Sequence, residues 1–116
     1  MKNDLEVSIQ ERDGIHVIEM IGDVTAETGQ MVEYAYQKIS DEGGTRIILS
    51  FQEDNYLNSG GIAFLIGIAA ESKDKGQVIR AAGLSGHFHK IFDMMGLTRY
   101  MDLFPDMDSA LEDFGN

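Results

Sequence analysis

The stretch Arg46–Ile68, RIILSFQEDNYLNSGGIAFLIGI, decides the fold. Its opening, together with Thr45, is β-branched and almost continuously apolar, which predicts a central strand over 45–51 buried on both faces. Gln52–Asn55 is a polar loop. From Gly61 to about Lys75, Ile62, Leu65, Ile66, Ala69 and Ala70 form one stripe at helical spacing, so a helix follows. Phe64 and Ile68, four apart, add apolar character on an adjoining face, as in a helix that is deeply buried or covered by something else. Between strand and helix stands the polar knot Asn58-Ser59-Gly60-Gly61. Two readings of it are open: Asn58 or Ser59 simply caps the helix, with glycines for turn geometry, or the Ser59 hydroxyl is displayed for something to act on.

Working outward, Gln77–Ala82 reads as another strand, which a helical crossover should leave parallel to the central one. Upstream, Leu5–Gln10 alternates in polarity, Asp13-Gly14 signals a hairpin, and Ile15–Ile21 alternates again. The period then becomes helical from Thr25 or Ala26 to Asp41, with Val32, Ala35, Tyr36 and Ile39 on one stripe and Gly43-Gly44 as the stop. Downstream, Ser85 can cap a helix carrying Phe88, Ile91, Phe92 and Met95, which Gly96 ends. Tyr100–Phe104 is a short last strand, and Pro105-Asp106 opens a final helix with Met107, Ala110, Leu111 and Phe114 on one side. The order β-β-α-β-α-β-α-β-α predicts a single α/β domain over residues 1–116, with a four- or five-stranded mixed sheet and about four helices.

Composition narrows the function classes. At 116 residues the chain has the size of one domain. It contains no cysteine, which removes disulfides and thiolate metal sites and suits a reducing compartment, so a cytoplasmic location is expected. No signal-peptide pattern opens the chain, and no apolar window is long enough for a membrane span. The net charge is −11, distributed as −8 over residues 1–70, +2 over 71–99 and −5 over 100–116. Such a surface repels phosphate backbones, so no nucleic acid is expected; it suits solubility or a basic protein partner.

The remaining chemistry is sparse. NSGG is not the G-x-S-x-G elbow, and no histidine is tied to Ser59 by spacing, so no catalytic residue and no enzyme activity are expected. His87 and His89, two apart on a helix, point about 200° from each other and cannot share an ion, so no metal is expected. GGIAFLIG lacks the spacing and the lysine of a P-loop, and no cofactor is expected. A phosphate on Ser59 would instead face the first-turn N–H groups and the positive end of the helix dipole, worth roughly 0.3–1 kcal/mol.

Three stretches together resemble the STAS domain of bacterial anti-sigma-factor antagonists: MIGDVT (Met20–Thr25), the opening stretch with its knot, and HKIFDMMGLTRYMDLFPDMDSAL, in which Phe92, Gly96 and Leu97 fall on the family's Phe-x-x-x-Gly-Leu. The resemblance covers nearly the full chain. It implies that Ser59 is the phosphorylation target and that the unphosphorylated protein binds an anti-sigma factor with serine kinase activity. It further implies that phosphorylation breaks this contact and that a phosphatase restores it. Thr25, Asn58, Gly60, Gly61, Phe64 and Ile68 are then the expected partner-binding residues, the last two if exposed. Asn58 and Thr25 stand where the family carries Asp, and Gly60 where it carries a second hydroxyl. These departures motivate two alternatives: a STAS module without phosphorylation, acting as a scaffold or homodimer, and a nucleotide-sensing STAS domain.

Overall fold

The computed structural model describes residues 4–114. The elements are β1 (Glu6–Arg12), β2 (Ile15–Ile21), α1 (Gly29–Asp41), β3 (Arg46–Ser50), α2 (Ser59–Asp74), β4 (Val78–Ala82), α3 (Gly86–Met94), a 3₁₀ turn (Leu97–Arg99), β5 (Met101–Phe104) and α4 (Met107–Glu112). The five strands lie in sequence order; β1 is antiparallel to β2, and β2 to β5 run parallel. The β1–β2 hairpin closes on Asp13 and Gly14, both at positive φ (52° and 81°), the backbone of a two-residue type I′ turn. Its pairing is unbroken from Glu6↔Ile21 to Arg12↔Ile15, starting one residue after the predicted Leu5–Gln10 alternation and running two residues beyond it into the turn.

β3 is buried on both faces, and those faces have different covers. Ile47 and Leu49 join Ile18, Met20, Ile79, Ala81 and Met101 in the main core beneath α1, α2 and α3. Ile48 joins Ile15, Val17 and Ala82 in a smaller core on the other side, closed by Ala110 of α4 with Phe104, Met107, Leu111 and Phe114 packed against it. A half-buried Arg80 reaches from β4 to α4, with its guanidinium 3.8 Å from the Phe114 ring centroid and an ion pair of 2.8 Å to Asp113.

Two helix starts differ from the sequence expectation. α1 begins at Gly29, not at Thr25 or Ala26, because Thr25 and Thr28 form a closed turn of their own. The Thr25 N–H donates to Thr28 Oγ1 at 2.8 Å, and Thr28 Oγ1 donates to the Asp23 carbonyl at 2.7 Å. α2 begins at Ser59, two residues before Gly61, because Asn58 provides the cap. α3 and α4 are capped by the Ser85 and Asp106 side chains, and Gly96 holds the left-handed position after α3 (φ 82°).

Candidate functional site

Parallel strands β2, β3 and β4 all end at one edge of the sheet, where open α/β folds place their functional groups. Two loops there are zipped together. The Val24 N–H donates to the Tyr56 carbonyl at 2.8 Å, the Asn58 N–H donates to the Val24 carbonyl at 3.2 Å, and Val24 and Leu57 form a parallel bridge. Asn55, buried in the second loop, latches it to the end of β2: its Nδ2 donates to the carbonyls of Gly22 at 2.6 Å and Met20 at 3.3 Å, and its Oδ1 accepts from the Gln52 N–H. In sequence this segment shows only the polarity of a loop; the one available signal is an amide side chain just before the apolar pair Tyr56-Leu57.

This zipper explains the glycines. A Cβ on Gly61 would collide with the Val24 carbonyl oxygen, and one on Gly60 would lie 2.5 Å from the Ala26 Cβ. The start of α2 is therefore pressed against the loop before α1, closer than any side chain allows. Asn58 then takes the capping role, its Oδ1 accepting from the Gly61 N–H at 2.9 Å. Ser59, the first helical residue, is exposed, and no side-chain hydrogen bond engages its hydroxyl among the described residues. The capping reading of the knot holds at Asn58, and the Ser59 hydroxyl beside it is exposed.

The other expected contact residues divide by burial. Asn58, Gly60 and Phe64 are half-buried at the surface, whereas Thr25, Gly61 and Ile68 are buried. Thr25 closes its turn from within, Gly61 seats the helix, and Ile68, 1% exposed and so without the exposure its expected contact requires, belongs to the main core. Phe64 leans on α1, where a Cβ on Gly29 would collide with its ring. The apolar excess of α2 thus arises largely because one side packs on the sheet and another on α1.

Ala63 and Gly67 extend the outward face of α2 beyond Ser59. Ser59, Ala63 and Gly67 lie four apart and are exposed, with Ile66 and Ala70 half-buried beside them. A Cβ on Gly67 would meet nothing within 4 Å, so the domain itself does not require glycine there. Tyr56, 55% exposed, stands beside this entrance with its ring edge-on to Phe88, 6.5 Å between centroids. At the far end of α2, Gln37 Nε2 donates to both Glu71 carboxylate oxygens at 2.9 Å, and Lys75 pairs with Glu71 at 2.7 Å. Hydrogen bonding from Lys75 and then Gln37 holds the Glu71 carboxyl below its ordinary 4.5.

Neither loop holds a cation: residues 22–28 and 52–58 contain no Lys or Arg, and they carry Asp23, Glu27, Glu53 and Asp54. His87 and His89 are exposed on either side of Phe88. Among the described residues no three His, Asp or Glu side chains converge as a metal site, and no helix is long and apolar enough to cross a membrane.

The family model described as the STAS domain matches residues 6–110. A curated relative, the anti-sigma F factor antagonist of Paenibacillus polymyxa, is 21% identical over 108 residues, covering 92% of each chain. Among solved structures, an anti-sigma factor antagonist from Mycobacterium paratuberculosis superposes with a TM-score of 0.81 at 17% identity, covering 97% of this chain and 96% of that one. The Bacillus cell fate determinant SpoIIAA in its phosphorylated form gives 0.68 at 13% identity, covering 96% and 99%. At these identities the structural likeness speaks for the fold.

Proposed function

This chain belongs to the STAS domain family, and on that premise we propose that it is a non-enzymatic, cytoplasmic anti-sigma-factor antagonist. It binds an anti-sigma factor with serine kinase activity through the start of α2. Phosphorylation of Ser59 releases that partner, and a phosphatase resets the protein. The observation that carries this reading is the exposed Ser59 hydroxyl, left uncommitted because the neighbouring Asn58 caps the helix.

The physics of release follows from the surroundings. A phosphate brings a charge of about −1.5 to −2 and three acceptor oxygens. The first-turn N–H groups and helix dipole favour it by about 0.3–1 kcal/mol, but the two zipped loops supply no cation and several carboxylates. Its charge therefore stays turned outward instead of remodelling the loops. A partner seated on the small, weakly polar face of Ser59, Ala63 and Gly67 would have to desolvate that dianion, and binding fails.

The test is to incubate the protein with a serine-kinase anti-sigma factor and ATP, then measure the intact mass. One phosphate, mapped to Ser59 and missing from Ser59→Ala, is the expected result. A second reading is favoured by Asn58, an amide where the family carries an acid: a constitutive scaffold that binds without being modified. It predicts partner binding with no phosphate in the same experiment, and phosphorylation regained in Asn58→Asp.

A further inference from the structure

The first strand raises a separate question. β1 is the terminal strand of the sheet, so one row of its N–H and C=O groups points away from β2. It is seven residues long, unbroken in register, and free of the proline or bulge that commonly protects such edges. On the side facing α1 its apolar residues are incompletely covered. Val7 is half-buried and Ile9 is 37% exposed, and together with Met31 (41%) and Tyr34 (75%) of α1 they line an open groove.

We propose that this edge pairs with β1 of a second copy of the chain, antiparallel about a two-fold axis through Ile9, joining two sheets into one of ten strands. Three observations converge on that occupant and register. Ile9 is the middle residue of Glu6–Arg12, so pairing over the full strand places Ile9 opposite itself, Ser8 opposite Gln10 and Glu6 opposite Arg12. The two-fold then sets each Glu6 against the only cation of the strand, twice per interface, with no like charges directly opposed. An axis perpendicular to the sheet also keeps both α1 helices on one side, so the two Ile9 side chains meet where Met31 and Tyr34 of each copy can cover them. The −11 charge of each chain opposes association at long range, but at physiological ionic strength the Debye length is about 8 Å and this repulsion is largely screened. The pairing uses the edge of the sheet and not the α2 entrance, so it does not rest on phosphorylation of Ser59.

Sedimentation of the full chain across the micromolar to millimolar range tests this, with a mass of twice 12.9 kDa expected at the upper end. Arg12→Glu sets Glu against Glu in both cross-strand pairs and should weaken the dimer by roughly tenfold, and the charge exchange Glu6→Arg/Arg12→Glu should restore it. Because the chain has no cysteine, register can be read directly under mild oxidation. Ile9→Cys should cross-link to itself. Ser8→Cys alone should not, but mixed with Gln10→Cys it should yield the heterodimer. These exposed positions leave the core intact, and a melting curve for each variant checks that it folds. A monomer at every concentration overturns the proposal, as does an Ile9→Cys protein that stays unlinked or a charge exchange that restores nothing.

Discussion

Ser59 and Ser85 both stand at the start of a helix, and they are spent differently. Ser85 is the cap of α3, its Oγ accepting from the Phe88 N–H at 3.3 Å. Ser59 sits one position later on its helix, after Asn58 has already satisfied the Gly61 N–H. A hydroxyl in the cap position is part of the fold; one residue along, with an amide doing that work, it is left exposed to solvent. The glycines of α2 make the same contrast. Gly61 is demanded by the Val24 carbonyl, whereas Gly67 faces open space, so only the second is left for an outside surface to require.

The largest expected effect is on the buried side of this contrast. Gly61→Ala drives a methyl into backbone that cannot yield without opening the loop zipper, and it should cost about 3 kcal/mol or more, seen as a collapsed melting temperature. A mild effect there would show that the two loops are not pressed together. Next come the caps. Asn58→Ala and Ser85→Ala should each cost about 1 kcal/mol, while Ser59→Ala should stay within about 0.5 kcal/mol; denaturant titrations of the three variants separate structural from available hydroxyls. Gly67→Ala should act in the opposite direction, stabilising the domain by up to about 1 kcal/mol through helix propensity while weakening partner binding.

The smallest effect concerns acid. Glu71 is held below its ordinary 4.5 by hydrogen bonds from Lys75 and then Gln37, and Asp106 below 3.8 by the Ser109 N–H and then its hydroxyl. Lowered folded values mean that these carboxylates stabilise the protein above their unfolded values and stop doing so as pH falls through the folded ones. Both are well solvated, so the melting temperature should slip only slightly on this account between about pH 6 and about pH 3. Glu71→Gln should flatten part of that slope.

Much of the scaffold was legible because its residues obey one rule at a time. The double-sided burial of β3 follows from its β-branched run, the hairpin from Asp13-Gly14, and the end of α3 from Gly96. The reading failed where long-range contacts compete with local pattern. Thr25 looks like a helix cap but closes a turn with Thr28, which delays α1 to Gly29. Ile68 looks like surplus apolar surface until α1 and the sheet both claim α2. Asn55 gave almost no signal, because its partners, the carbonyls of Met20 and Gly22, lie more than thirty residues away. At the candidate site, position on the chain singles out Ser59, but its freedom from capping depends on a cap geometry that spacing alone leaves undecided between two residues.

The most direct measurement is the affinity of one serine-kinase anti-sigma factor for the wild type, Ser59→Ala and Ser59→Asp, by calorimetry under identical buffer conditions. The alanine variant should bind within about threefold of the wild type, and the aspartate variant at least about tenfold more weakly, about 1.4 kcal/mol. Equal affinity for all three would contradict the proposed switch, since a charge at the entrance of α2 would then lie outside the surface the partner covers.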